Sequence, residues 1–447
     1  MDSNGISRRR VLSTLGAAGA IGLAGCGSTG DSDDSSAQLS IGFINDFTGP
    51  VAYYGQQAMT GFLSGLAYKN DQASPTAYAE AGEYEVEVGD TTIEIIARDT
   101  QFDPSEALNI AQDLERNEGV DILAGVSNST GARRVINNVV SEAEIPYIVC
   151  PAASADLTGS SDTCSDLVYR ANENTAMDAR SGGRYIVDET DVQNVALFGA
   201  DYSFGRSVVE NYKQVLEAGG INIVIEEYVD QGYSEWEGFF ENAEDQGAEG
   251  IVGGFTAQTL PSFTTELLTG DYDMQMFGGF ASNLTLGLLG DTIVSVLGDD
   301  FTAEDLRSQN FGPFTTRYHW NQYDNDINDW FVENHTSAYD IVPDLFTGGA
   351  FTAASAVVQA IEQEGEATRD AIPNQMKGMT VADTPKGQDG YQFQEYNNQA
   401  RSEMTVAEVI PDETDSWPAA IQPSDPVSRV SASETTIPQS DVSCDLS

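Results

Sequence analysis

From Leu39 onward, apolar residues fall into short runs and helical stripes that alternate along the chain. Leu39–Ile44 reads as a strand, and Asn45-Asp46-Phe47-Thr48-Gly49-Pro50 as the turn that ends it. A helix from about Tyr54 puts Met59, Phe62, Leu63 and Leu66 on one face. Thr92–Ala97 is the second strand. Asp103-Pro104-Ser105-Glu106 then combines a capping Asp, Pro at the first helical position and Glu at the third. The helix it starts buries Ala107, Leu108, Ile110, Ala111 and Leu114. Val120, Ile122 and Leu123 form a strand ending at Gly125; Val135, Ile136, Val139 and Val140 recur at helical spacing; Tyr147–Cys150 is a further strand. This order predicts a doubly wound parallel sheet.

The plan restarts after Arg170. Asn194–Gly199, Ile221–Glu227, Gly250–Gly254 and Met274–Phe277 read as strands. Gly205–Leu216, Trp236–Asp245 and Leu260–Leu268 read as the helices between them, the first with Val208, Val209, Tyr212 and Val215 at core spacing. The expectation is therefore an α/β chain of two similar lobes. Tyr318–Ala360 is mostly helical in pattern and Gly390–Val409 suggests strands. From Asp412 on, Asp, Ser, Thr and Pro dominate, which predicts a poorly ordered tail over 412–447.

Two loops stand out at predicted strand ends. Ser127-Asn128-Ser129-Thr130-Gly131 delivers Ser129 and Thr130 to the first turn of a helix. Free backbone N–H groups and hydroxyls there suit a carboxylate or other small anion. Pro151-Ala152-Ala153-Ser154 repeats the arrangement after the next strand. Open α/β sheets bind ligands off the carboxyl ends of their strands.

Charge changes the picture of partners. Twenty basic residues stand against 71 acidic, a net charge of −51, and lysine is confined to Lys69, Lys213, Lys377 and Lys386. Such a surface repels nucleic acid and anionic headgroups. Disorder throughout is excluded, because 40% of residues are hydrophobic and fall in periodic blocks. A foldable, acidic, lysine-poor chain suggests adaptation to very high salt, where screening removes self-repulsion.

At the N-terminus, Ser7-Arg8-Arg9-Arg10-Val11-Leu12 resembles a twin-arginine export signal. The apolar run Val11 to Ala24 is too short to span a bilayer and suits a signal core. Leu23-Ala24-Gly25-Cys26 resembles a lipobox, which makes Cys26 the lipid-bearing residue. Residues 1–26 are thus expected to be a signal and 27–38 a flexible linker. Cys150, Cys164 and Cys444 can pair in three ways, which stay open. His319 and His335 are the only histidines; there is no metal-type spacing, no G-x-S-x-G elbow and no P-loop. No catalytic residue, metal or cofactor is expected, since Ser129 or Thr130 would need a general base that neither histidine's surroundings supply.

Four motifs in order carry a resemblance. They are Ile41-Gly42-Phe43 with Phe47-Thr48-Gly49-Pro50-Val51-Ala52-Tyr53-Tyr54-Gly55; Arg98-Asp99-Thr100-Gln101-Phe102-Asp103-Pro104; Gly125–Thr130 with Pro151-Ala152-Ala153-Ser154; and Asp201-Tyr202-Ser203-Phe204-Gly205. Over about Leu39 to Val409 the chain resembles the solute-binding proteins of ABC importers for branched-chain amino acids and related molecules, the type I periplasmic-binding fold. The resemblance implies two lobes joined by three hinge segments: 39–171 with 316–393, and 172–315 with 394–411. It implies that Ser129, Thr130, Ala152 and Ser154 hold the ligand's carboxylate and amine, and that Tyr54, Phe204, Phe255 and Phe346 line its apolar part. It implies permease subunits of an importer as partners, and an exported monomer held by its lipid at the outer face of the cytoplasmic membrane.

One position departs from the pattern. Where amino-acid-binding members carry a Glu for the ligand ammonium, this chain has Phe280 in Gly278-Gly279-Phe280-Ala281. A buried ammonium left without a carboxylate is costly. Either another acid serves, Asp201 being the nearest, or the solute is not an α-amino acid. The expected solute is a branched-chain or other hydrophobic amino acid; an amide, a urea-like solute or a non-amino carboxylate is the alternative, as is a ligand-sensing ectodomain.

Two outcomes follow. Cys26→Ser should move the protein from the membrane fraction to the medium; unchanged membrane association would refute lipidation. Thermal stability should rise steeply from about 0.1 M salt, where the Debye length is roughly 10 Å, to molar salt. A melting temperature flat over that range would remove the salt argument.

Overall fold

The computed structural model describes residues 37–76, 80–279, 282–412 and 419–447. The expected signal with Cys26, the linker as far as residue 36, and Phe280 lie outside them.

The first sheet is built from β1 (Ala37–Asn45), β2 (Gly82–Val88), β3 (Thr91–Asp99), β4 (Ile122–Gly125), β5 (Tyr147–Val149) and β6 (Val168–Arg170), in the order β2-β3-β1-β4-β5-β6. β1 lies central, with Ile41 opposite Ile95 on one side and Ile122 on the other. Ile41, Phe43, Ile93, Ile95 and Ile122 are wholly buried, as a parallel sheet covered on both faces requires. β2 was not expected. It pairs antiparallel with β3, and Glu83, Glu85 and Glu87 alternate with Tyr84, Val86 and Val88. That alternation is the period of a one-sided strand, and the glutamates keep the sheet edge from pairing with another chain. On one face of the sheet the helices Ala52–Lys69 and Leu345–Glu364 approach closely. A Cβ on Gly61 would lie 2.4 Å from the Thr347 carbonyl oxygen, and one on Gly65 2.5 Å from that of Phe351. Only glycine permits this backbone-to-side approach.

The second sheet, all parallel, runs β10-β9-β7-β8, from β7 (Asn194–Ala200), β8 (Asn222–Val229), β9 (Gly250–Gly254) and β10 (Gln275–Gly278). Its core is aromatic: Phe198 meets Trp236, Phe240 and Phe263 with ring centroids 5.8 to 6.3 Å apart. The two lobes of the predicted α/β plan are thus present.

Two small antiparallel sheets follow. β11 (Phe314–Thr316), β15 (Met404–Pro411) and β16 (Ile421–Val430) form one; β12 (Thr380–Thr384), β13 (Gly387–Phe393) and β14 (Ala400–Ser402) form the other. Val381, Tyr391, Phe393 and Ala400 join the core of the first lobe, whereas Phe314, Val409 and Ile421 join that of the second. The stretch 394–402, assigned above to lobe two, therefore packs on lobe one as far as β14.

The tail corrects a second expectation. Ile421–Val430 pairs with β15, and a disulfide joins Cys164 to Cys444 across 280 residues. Its polar composition misled because β16 is half exposed, with inward and outward residues alternating from Ser424 onward. Of the pairings left open, Cys164–Cys444 is the one made; Cys150 remains a buried thiol whose pKa burial pushes up to about 12. Among the described residues no helix is long and apolar enough to cross a membrane.

Candidate functional site

Three strand ends of the first lobe meet at Asn45. Its carboxamide nitrogen donates to the Cys150 carbonyl at 3.2 Å after β5, and its oxygen accepts from the Ser127 hydroxyl at 2.5 Å after β4. Asp99, at the end of β3, accepts from the backbone N–H groups of Phe47 and Thr48 at 2.8 and 3.3 Å, fixing the turn after β1. Val126 is held at φ 68°, a conformation that β-branched residues rarely adopt, where the chain leaves β4.

The hydroxyl-rich loop folds differently from its expected role. Asn128, not Ser129, caps the helix Ser129–Val135, accepting from the N–H groups of Thr130 and Gly131 at 2.9 and 3.1 Å. Those two donors are therefore already satisfied. The Ser129 hydroxyl accepts from the Ser154 N–H at 3.2 Å. Thr130 Oγ1 lies 3.0 Å from Ser203 Oγ in the second lobe, and the Ser154 hydroxyl reaches the Ser203 carbonyl at 3.1 Å. Ala152 is buried, and its carbonyl accepts from Arg170 at 3.2 Å. These four residues are brought together, but none of them lines the cavity between the lobes; Ser203 occupies the hydroxyl of Thr130, and Ser203 and Asp156 that of Ser154.

The two lobes close over a cavity of about 30 Å³, well below the volume of a typical small-molecule site. Tyr54, Phe204, Phe255 and Phe346 all line it. Tyr54 and Phe346 stack with ring centroids 4.5 Å apart, and the Tyr54 hydroxyl accepts from the Ala257 N–H at 2.9 Å across the cleft. A second bridge runs through Asp344, whose Oδ2 accepts from the Tyr53 hydroxyl at 2.6 Å and the Asn283 N–H at 2.9 Å. Burial pushes the Asp344 carboxyl up to about 6.

Lining residues that were overlooked include Phe102, Ser127, Tyr202, Thr256 and Arg317. Phe102 and Tyr202 lie inside motifs quoted above, each just past a strand end, which was the available signal. Arg317 forms a bidentate pair with Asp178 at 2.9 and 2.5 Å, both buried. Asp46, read as a turn residue, is wholly buried behind this lining. Its Oδ1 accepts from the Thr100 hydroxyl at 2.8 Å, and its Oδ2 has no partner. Burial pushes its carboxyl up to about 6. Asp201, the acid suggested for an ammonium, instead pairs with Arg206 at 2.5 Å with about half of each side chain exposed. His319 and His335 are buried away from the lining and burial lowers both to about 4. Among the described residues no group of three or more His, Cys, Asp or Glu could hold a metal.

Comparison with known proteins adds a family. Residues 38–414 match the family described as periplasmic binding protein. The Leu/Ile/Val-binding protein homolog 6 of Brucella abortus (strain 2308) is 26% identical over 335 residues, covering 73% of this chain and 76% of its own. The crystal structure of an ABC-type branched-chain amino acid transporter from Rhodopseudomonas palustris CGA009 is 25% identical with a TM-score of 0.65, over 90% of this chain and 98% of that one. A solute-binding protein from Rhodopseudomonas palustris BisB5, solved in complex with 3,4-dihydroxy benzoic acid, shares the fold at 18% identity and a TM-score of 0.68, over 90% and 98%.

Asp46 makes stability depend on pH. Its folded pKa of about 6 lies above the unfolded value near 3.8, so its contribution is fully present below about pH 4 and is lost as pH rises through 6. Two units correspond to about 3 kcal/mol. Asp46→Asn should thus gain stability over the unmodified chain by up to that amount at pH 7 and little at pH 4, in urea unfolding at fixed molar salt. A difference independent of pH would contradict this.

Proposed function

The chain belongs to the periplasmic binding protein family, and from that footing we propose that it is the extracytoplasmic solute-binding component of an ABC importer. The observation that carries the reading is the closed cleft itself. Tyr54, Phe102 and Phe346 from one lobe and Tyr202, Phe204 and Phe255 from the other surround one small cavity. Such a lining buries an apolar side chain or ring and excludes water. Nothing in it pairs a nucleophile with a base, which supports binding rather than catalysis.

The solute proposed is a small carboxylate with an apolar body, foremost a branched-chain or other hydrophobic amino acid, in line with the relatives named for leucine, isoleucine and valine. Its carboxylate would take the places that Ser203 now fills on Thr130 and Ser154, with Ser129 and Ala152 shaping that pocket. A flat aromatic carboxylate is the second reading, favoured by the stacked Tyr54 and Phe346 rings and by the fold neighbour holding a dihydroxybenzoic acid. Delivery to permease subunits and anchoring through Cys26 complete the proposal.

Calorimetry with L-leucine, 4-methylpentanoate, L-leucinamide and 4-hydroxybenzoate tests it. At least one carboxylate should bind, and the amide should bind about ten- to a hundredfold more weakly than its parent acid, the loss of one charge-assisted hydrogen bond. Phe346→Ala should weaken every binder. Equal binding of acid and amide, or an inert Phe346→Ala, would remove this account of the cleft.

A further inference from the structure

Of the buried acids, Asp178 and Glu173 have cations, Asp344 has neutral donors on both oxygens, and Asp46 has no cation and one oxygen unbonded. Asp178 faces Arg317, and Glu173 faces Lys386 at 2.7 Å. Asp46 has the Thr100 hydroxyl on one oxygen and no hydrogen bond to the other, with the Ser127 hydroxyl and the Phe102 N–H its nearest further donors, although none of its surface reaches solvent. The charge that weighs on it is a second acid, Asp99. A buried carboxylate oxygen without a donor is costly to keep.

Its position explains what could relieve it. Asp46 is packed against the first turn of the helix Ala52–Lys69: a Cβ on Gly55 would lie 2.2 Å from the Asp46 carbonyl oxygen. On another side the Thr100 N–H donates to the Asn45 carbonyl at 2.9 Å, and Phe102 follows in the same turn. On a third side Ser127 bonds to Asn45. Tyr54, Phe102 and Ser127, which come from these three segments, all line the cavity. The phenols of Tyr54 and Tyr202 both feel the Asp46 charge, and Tyr202 belongs to the opposite lobe. The carboxyl therefore sits directly behind the lobe-one wall of the cleft. Arg317, a cation on the lining, is held by Asp178.

We propose that Asp46 is the acceptor for an ammonium group of the solute, and that it sets a preference for amino-bearing over plain carboxylates. This rests on the solute-binding reading above and assigns the cationic end of the ligand to lobe one. An ammonium supplies the donor that Oδ2 lacks and keeps the carboxyl ionised. Affinity for an amino acid should then fall as pH drops through about 6, while affinity for its deaminated acid should not follow. The groups that face Asp46 are Asp99, Tyr54 and Tyr202, and burial holds both phenols neutral over this range. Asp344, at about 6, titrates in the same window in its bridge to Tyr53 and Asn283, so substitution as well as pH has to decide.

The test is calorimetry on the full chain in molar salt, with L-phenylalanine against 3-phenylpropanoate and L-leucine against 4-methylpentanoate, at pH 5 and pH 8. The unmodified protein should favour the amino member of at least one pair by about ten- to a hundredfold at pH 8, and by less at pH 5. Asp46→Asn should erase that preference and change the deaminated acid by less than about threefold. Asp46→Ser carries the same test should the Asn variant not fold. An amino preference that survives both substitutions, or equal weakening of both members of a pair, overturns the proposal. So does binding of the deaminated acids alone, which leaves the solute-binding reading intact. Binding of none of the four compounds overturns that reading as well.

Discussion

The fold turns on charges buried where the chain passes between its lobes. Glu173, just past β6, meets Lys386 at 2.7 Å between β12 and β13, and both are at most 2% exposed. Glu173 Oε1 also accepts from the hydroxyls of Tyr391 and Ser402, at 2.5 and 2.9 Å. Arg317, just past β11, holds Asp178 in the helix that follows the first crossing. Breaking such a pair leaves a lone buried ion, at a cost of roughly 3–5 kcal/mol. The pairs thus staple the crossings to one another. An opening of the cleft that bends the chain around them avoids that cost, whereas one that pulled them apart would incur it.

Arg170 carries that constraint from the crossings to the cleft. It is wholly buried at the end of β6, beside no carboxylate, and burial lowers its pKa to about 9. Its donors go instead to the carbonyls of Ala152 and Ser154 at 3.2 and 2.7 Å, the Thr158 hydroxyl at 2.9 Å and Gln399 Oε1 at 2.6 Å. Gln399 immediately precedes β14, the last strand on lobe one before the chain enters β15. One guanidinium thereby fixes the Pro151–Ser154 loop against the segment about which the lobes meet. Its planar fork of donors suits several carbonyl partners at once, which a lysine ammonium could not serve in the same geometry.

Sequence periodicity made most of the architecture legible, for a physical reason: parallel strands buried on both faces and helices with one apolar stripe leave strong signals. The aromatic lining was legible for another. Tyr54, Phe204 and Phe255 follow strand ends that the sheet topology must point at the cleft, whereas Phe346 opens the helix Leu345–Glu364. What escaped was set by long-range partners. β2 and β16 expose one face and read as polar. The Cys164–Cys444 bridge spans 280 residues and has no local signature. Ser129, Thr130 and Ser154 were recognisable as a cluster, yet their present partners depend on how Ser203 of the other lobe is seated. Asp46 looked like any Asp in a turn, since only the packed helix, the Thr100 turn and Ser127 make it buried.

Scarcity of cations sharpens the exception at Asp46. All four lysines are committed: Lys69 to Asp383 at 2.9 Å, Lys213 to Glu226 at 2.7 Å, Lys377 to Asp166 at 3.7 Å and Lys386 to Glu173. The exposed pairs weaken as salt screens them, whereas the buried Lys386 pair does not. With a net charge of −51, the chain has carboxylates to spare, and almost all of them can sit in water at no penalty. Burying Asp46 without a cation, when Asp178 and Glu173 each have one and Asp344 has donors on both oxygens, is not forced by composition. A turn needs only the backbone of residue 46, and an Asn there would satisfy Thr100 as well without carrying a charge. The physical cost of the carboxylate is therefore balanced by something other than the turn, and the cleft is what lies against it.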